Sequence, residues 1–334
     1  MADGDRSEVG VEARKDEPDW ERFASSFAAI QHNIERVVQG KPREVRLALV
    51  ALVAEGHVLI EDVPGVGKTL LAKALARSID CSFRRIQFTP DLLPTDVTGV
   101  NVFNQERGDF EFKPGAIFAN IVLADEINRA SPKTQSALLE CMEERQVTVD
   151  TETYQLGTPF MVIATQNPIE HEGTYPLPEA QLDRFMLRIH VGYPGTEAEL
   201  GILATHGYQS TLDELEPVAD AMVVAELAAT AREVHVAPAL RRYIVALAEA
   251  SRAHPDLYLG ASPRASIMLL RASRALAASE GRDYVVPDDI KALAVPVLAH
   301  RVIVTADAAM GGRDGAAVLF EVMEHVAVPV RGEA

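Results

Sequence analysis

Short apolar runs, rich in β-branched residues, alternate with helical stretches over the first two-thirds of the chain. The runs fall at 57–61, 83–88, 121–124, 160–165 and 187–191. Runs of that length bounded by polar residues read as buried strands, and the helical stretches between them predict a parallel sheet covered by helices. Beyond residue 195 the texture changes. Alanine-rich helical stretches take over, as at 239–253 and 263–279, and strand-like runs become rare. Pro and Gly punctuate the change at Tyr193-Pro194-Gly195, which predicts a domain boundary there. The expected organisation is an α/β domain over 19–194 and a helical domain over 195–334. Residues 1–18 are polar, acidic and aperiodic, and are expected to form a disordered tail. No internal repeat is evident.

Composition narrows the class. A chain of 334 residues is long enough for about two domains. Its 48% hydrophobic and 24% charged content excludes intrinsic disorder for the bulk of it. Lys+Arg number 32 against 49 Asp+Glu, for a net charge of −17. That balance disfavours a dedicated nucleic-acid binder, which needs clustered cations to neutralise phosphates. Cys81 and Cys141 sit in no CxxC or Cys/His cluster and read as small buried hydrophobes. The nine histidines are scattered without metal-ligand spacing, so no structural metal site is expected. The N-terminus lacks the apolar core of a signal peptide, and no uncharged apolar run approaches about 18 residues. The richest stretch, 47–60, is broken by Glu55, Gly56 and His57. The expected compartment is the cytoplasm.

The strongest chemical signal is Asp62-Val63-Pro64-Gly65-Val66-Gly67-Lys68-Thr69, placed between the strand at 57–61 and a helix over 69–79 with Leu70, Leu71, Ala74 and Leu75 on one side. This is the strand–loop–helix context of a phosphate-binding P-loop. Its glycines let backbone N–H groups close around phosphate oxygens, and the helix N-terminus adds positive potential. Lys68 would reach the β- and γ-phosphates, and Thr69 would offer its hydroxyl to Mg²⁺. Asp62 stands where the usual motif has Gly. The nucleotide-binding candidates are Asp62, Val63, Pro64, Gly65, Val66, Gly67, Lys68, Thr69 and Leu70.

Four further features lie downstream. The apolar run Ile121-Val122-Leu123-Ala124 ends in Asp125-Glu126, a Walker B pattern. Asp125 would hold Mg²⁺ through water, and Glu126 would orient and deprotonate the attacking water. Ile163-Ala164-Thr165-Gln166-Asn167-Pro168 is a second apolar run ending in amides. Asn167 there suits a hydrogen bond to the γ-phosphate or the lytic water, although an Asn-Pro turn is the plainer reading. Arg184 lies late in the α/β domain, in Glu179-Ala180-Gln181-Leu182-Asp183-Arg184-Phe185. It suits a finger inserted into a neighbouring subunit, or else a surface ion pair with Asp183 or Glu179. Ser262 and Pro263 read as N-cap and first residue of a helix. Arg264 then opposes the helix dipole and calls for a negative partner, either a nucleotide phosphate or a local carboxylate.

The string Asp125-Glu126-Ile127-Asn128-Arg129-Ala130-Ser131-Pro132-Lys133-Thr134-Gln135-Ser136-Ala137-Leu138-Leu139-Glu140 resembles the signature of the MoxR family of AAA+ ATPases. So do Ala164-Thr165-Gln166-Asn167-Pro168-Ile169-Glu170 and the stretch from Glu172-Gly173-Thr174-Tyr175 through Phe185. The resemblance runs from about residue 30 to about residue 325. It implies a three-layer αβα P-loop core with a parallel sheet, followed by a small all-α lid. It implies Walker A roles for Lys68 and Thr69, Walker B roles for Asp125 and Glu126, sensor 1 for Asn167, an arginine finger for Arg184 and sensor 2 for Arg264. Arg129 and Arg188 are alternative trans-acting arginines. Such proteins often carry an apolar pair, shortly before a Gly, that touches adenine; the corresponding stretch here is Val37-Val38-Gln39-Gly40, which makes Val38 and Gly40 candidates.

The resemblance also implies two projecting hairpins that touch clients. One, a helix-2 insert, fits Phe103 through Phe112 with Gly108 in the turn. The other precedes sensor 1, with Gln146-Val147-Thr148-Val149 and Thr153-Tyr154-Gln155-Leu156 flanking an acidic turn. The implied activity is ATP hydrolysis with Mg²⁺ at the subunit interfaces of a homo-oligomer, expected to be a hexameric ring. Hydrolysis would turn the lid through Arg264 and remodel or mature a client enzyme, by metal or cofactor insertion, with a von Willebrand factor A domain partner. Competing readings are a magnesium-chelatase-like or MCM-like motor and a non-hydrolysing nucleotide switch. The acidic tip Asp150-Thr151-Glu152 opposes a DNA motor, and the presence of Glu126 and Arg184 opposes a switch.

Overall fold

A computed structural model describes residues 18–168, 173–206 and 212–329. The expected tail over 1–18 lies almost wholly outside the described residues, as do Ile169, Glu170 and Glu172 of the family-like string.

The chain opens with two helices, α1 (Trp20–Glu35) and α2 (Pro42–Val53), which lead into β1 (Val58–Glu61) and α3 (Lys68–Ser78). Next come β2 (Phe83–Gln87), the short α4 (Pro94–Thr98) and a hairpin of β3 (Gly99–Asn104) and β4 (Asp109–Pro114). The second half of the α/β unit holds β5 (Ile121–Asp125), α5 (Pro132–Glu144) and a hairpin of β6 (Gln146–Val149) and β7 (Glu152–Gln155). It closes with β8 (Met161–Gln166), α6 (Glu179–Leu182) and β9 (Leu187–Ile189). Helices α7 (Thr196–His206), α8 (Ala221–Glu233) and α9 (Pro238–Ala253) follow. After β10 (Leu257–Leu259) come α10 (Pro263–Ser279), α11 (Pro287–Leu298), β11 (Ile303–Val304), α12 (Ala306–Met310) and α13 (Gly315–His325).

The five long apolar runs form one sheet in the order β2-β5-β8-β1-β9. Every pair in it is parallel. β5 is buried along its whole length, and β8 is buried at all but its last residue. A parallel sheet covered on both faces needs such continuous apolar strands rather than alternating ones. All five carboxyl ends open on one edge, where open α/β sheets bind ligands. That edge is the carboxyl edge below, and the opposite one is the amino edge.

Two local features matter for the site. The stripe Leu138, Leu139, Cys141 and Met142 of α5 is buried against the sheet, so this helix runs from the carboxyl edge back to the amino edge, about 20 Å for its length. Burial pushes the Cys141 thiol up to about 12 and the Cys81 thiol up to about 11, which leaves both as un-ionised packing groups. The helical region is organised on α10, whose buried face carries Ala265, Leu269, Ala272, Ala275 and Leu276. Its small residues let α8, α9 and α11 approach closely.

Candidate nucleotide site

Between β1 and α3 the chain turns through Gly65 (φ +85°) and Gly67 (φ +94°). Both are in the left-handed region, and a Cβ on either would meet no atom within 4 Å. The glycines therefore serve the backbone's turn and leave open space above it. Among the described residues, no side chain caps the N-terminus of α3, so its first N–H groups and the dipole face that space, as an anion cradle requires. Lys68 Nζ donates to the carbonyls of Asp62 at 2.7 Å and Val63 at 3.3 Å, folded back over the loop. Asp62, the departure from the usual glycine, has a structural use. Its Oδ1 accepts from Val63 N at 2.8 Å, and its Oδ2 accepts from Gly192 N at 2.5 Å. The loop is thereby tied to the segment after β9. Val38 is buried and Gly40 adopts φ +72° against Ala198. Lys41 Nζ donates to Tyr193 O nearby, which brings this turn toward the same segment.

Asp125 and Glu126 stand at the carboxyl end of β5, beside the end of β8. Asp125 is 8% exposed. Its Oδ1 accepts from Thr165 Oγ1 at 2.6 Å, and its Oδ2 accepts from Arg85 Nη2 at 2.6 Å. Glu126 has φ +56°, and its N–H donates to Thr165 Oγ1 at 2.9 Å. Its Oε2 accepts from Gln87 Nε2 at 2.8 Å and faces Arg129 Nη1 at 3.4 Å. Asn167, 6% exposed, follows β8, and the preceding Gln166 carbonyl accepts from Asp62 N at 3.1 Å. Walker A, Walker B and Asn167 thus meet at one edge. Thr69 and Asp125 supply hard oxygen donors suited to Mg²⁺, which would neutralise phosphate charge there.

Thr165, Gln87 and Arg85 are site residues that sequence reasoning missed. Thr165 and Gln87 end predicted strands at the same edge, and that placement is the signal that could have found them. Arg85 carried none, since its exposed position on β2 matches any surface arginine.

Arg184 and Arg264 are elsewhere. Arg184 Nη2 lies 3.0 Å from Glu143 Oε2, and Arg264 Nη2 lies 2.5 Å from Glu143 Oε1. Glu143 is at the end of α5, next to Met142, whose carbonyl is 3.0 Å from His57 Nε2. His57 in turn accepts on its carbonyl from Met186 N at 2.8 Å. All of these surround the start of β1, whereas the P-loop follows its end, about 16 Å away along the strand. The two arginines therefore occupy the amino edge, opposite Lys68 of their own chain. Arg184 pairs with neither Asp183 nor Glu179 but with a carboxylate on another helix, and Arg264 does not face its own P-loop. Arg188 is held by Glu61 at 3.0 Å, inside the sheet's last strand pair.

Known proteins match this arrangement. The model of the ATPase family associated with various cellular activities (AAA) matches residues 57–187, and that of the AAA lid domain matches 249–322. The chain is 51% identical to the YeaC protein of Bacillus subtilis, over 92% of this chain and 95% of that one. It is 43% identical to Chaperone MoxR1 of Mycobacterium tuberculosis, over 92% and 85% of the two chains. It is 34% identical to Protein MoxR of Paracoccus denitrificans, over 86% and 90%. The crystal structure of a Cytophaga hutchinsonii protein described as an ATPase superposes with a TM-score of 0.87 at 39% identity, over 93% of this chain and 97% of that one. With the P-loop, the acidic strand end and the helical lid in these places, the chain belongs to the MoxR family of AAA+ ATPases.

Proposed function

We propose that this protein hydrolyses ATP with Mg²⁺ at the interfaces of a homo-oligomer, expected to be a hexameric ring, and uses the cycle to remodel client proteins. The carrying observation is the division of the site between opposite edges of the sheet. Lys68, Thr69, Asp125, Glu126 and Asn167 gather at the carboxyl edge, and Arg184 and Arg264 face away at the amino edge. A head-to-tail neighbour is what would bring the two halves together. In that arrangement Lys68 and the α3 N-terminus hold the phosphates, Glu126 takes the proton of the attacking water, and Asn167 orients that water. The neighbour's Arg184 and Arg264 balance the charge that develops on the transferred phosphoryl group.

The client side rests on the hairpins. β3–β4 exposes Phe103 at 51% and Phe110 at 67%, packed edge-to-face. The second hairpin is locked to the first by Phe112 stacked on Tyr154 and by Asn101 Nδ2 donating to Asp150 Oδ2 at 2.7 Å. Exposed aromatics on a braced projection are a contact surface for polypeptide. A von Willebrand factor A domain protein as adaptor and a client enzyme receiving metal or cofactor complete the proposal. Among the described residues no helix is long and apolar enough to cross a membrane, and a cytoplasmic location is proposed. The test is a trap. Tagged Glu126→Gln protein, held with ATP and Mg²⁺ in its native host, is compared with Lys68→Ala by mass spectrometry of co-purifying molecules. Enrichment of an adaptor together with an enzyme subunit supports the reading. Enrichment of nucleic acid with repair or replication proteins overturns it.

A further inference from the structure

Among the described residues Glu143 pairs with both arginines, and neither the Walker motifs nor the sensors account for it. Arg184 comes from the turn before β9 and Arg264 from the first turn of α10. Their guanidinium groups would repel each other if left side by side, and Arg264 is further opposed by its own helix dipole. One carboxylate relieves both costs, with Oε2 on Arg184 at 3.0 Å and Oε1 on Arg264 at 2.5 Å.

The backbones beneath are fixed by a second acid. Asp183, next to Arg184, accepts from Ser262 Oγ at 3.1 and 3.2 Å, and Ser262 caps the helix that carries Arg264. Asp183 also accepts from Arg301 Nε at 2.8 Å. The Arg301 side chain is 1% exposed and donates as well to the carbonyls of Phe185 and Val297. The lid and the α/β unit are thus bolted together under the arginines. The arginines themselves remain accessible, at 28% and 37% side-chain exposure.

We propose that Glu143 is a positioning residue that holds Arg184 and Arg264 as one two-guanidinium clamp, presented to the γ-phosphate of the neighbouring copy. The proposal rests on the split-site reading above. In this role Glu143 would not contact the reacting atoms itself. It acts by setting the spacing and direction of two cations before the phosphate meets them, and misplacement of such groups lowers the chemical step more than ground-state binding.

The test is Glu143→Gln, which keeps size and loses charge, with Glu144→Gln as the equal charge change one residue away. Steady-state ATPase is read as kcat and KM, alongside the melting temperature and oligomer size. Glu143→Gln is expected to lower kcat about tenfold or more with KM within about twofold. Glu144→Gln is expected to match the parent protein, and Glu143→Asp to recover part of the loss. If Glu143→Gln is poorly folded, Glu143→Asp serves as the test variant, with an intermediate kcat expected. Mixed oligomers then locate the effect. Adding Lys68→Ala protein, which keeps an intact arginine face, should restore activity to Glu143→Gln sites, while adding Arg184→Ala protein should not. Wild-type kcat in Glu143→Gln overturns the proposal, as does a loss that Lys68→Ala copies do not rescue. If Arg184→Ala is itself not rescued by Lys68→Ala copies, the split-site reading fails instead.

Discussion

Gln87 Nε2 donates a 2.8 Å hydrogen bond to Oε2 of Glu126, so the proposed base is tied to the end of β2. A carboxylate held by such a bond is less free to swing toward a water. Gln87→Ala should therefore raise basal ATP turnover, by about fivefold for a bond contributing on the order of 1 kcal/mol. Phosphate-release kinetics read this directly, and a rate at or below the parent's would mean that Gln87 does not restrain the base.

Glu126→Gln should lower phosphate release by about a hundredfold or more while nucleotide affinity changes little. Lys68→Ala should lose affinity as well. Fluorescent-nucleotide titration beside turnover separates the two, and a Glu126→Gln protein that still hydrolyses ATP normally would remove this residue from the base role.

Thr165 is fully buried and bridges both acids, donating to Asp125 Oδ1 and accepting from the Glu126 N–H. Thr165→Val keeps the shape and strands both partners, a cost of about 1–3 kcal/mol in unfolding free energy. It should also raise the Mg²⁺ concentration needed for half-maximal activity, because Asp125 loses its alignment. Urea unfolding and a Mg²⁺ titration check the two effects independently.

His57 is buried between Met142 O and Val162 N. Burial first, and then the charges of Arg145 and Arg271, push it down from 6.5 to about 4. Burial likewise holds His300 well below its ordinary value. In both cases the unfolded chain binds a proton that the folded one refuses. Stability is therefore fully present above about pH 6.5 and is lost as pH falls toward 4, with about 3 kcal/mol riding on His57 alone. Unfolding midpoints between pH 7 and 4.5 should slope downward with acid. This window lies above the range in which Glu55 and Glu280, held low by their arginine partners, begin to protonate. A flat profile would contradict the burial of neutral imidazoles.

Much of the carboxyl edge was legible beforehand because its chemistry is written in contiguous residues. Strand, loop and helix around Lys68 follow one another, as do Ile121 through Glu126, and the described sheet matches the predicted runs to within a few residues. The cap at Ser262 was equally readable, since its side chain accepts from the N–H of Ala265, three residues on. What could not be read was the edge to which each arginine belongs. Spacing identifies a cation in the first turn of a helix, but its partner Glu143 lies 121 residues away. The same holds for Arg301 and Asp183, 118 residues apart, and for Gln87 and Glu126, 39 apart. Such pairs are made by the packing of helices across the sheet, and a single sequence does not record that register.

The placement of Lys68 and Arg184 at opposite ends of the sheet has an arithmetic consequence for the proposed assembly. Head-to-tail contacts are heterologous, so an open row of n copies holds n − 1 finished sites, and only closure adds the last. A lone chain holds none. Turnover per chain should then climb steeply with protein concentration and level off once rings close, and the act of joining becomes the first on-switch of the enzyme.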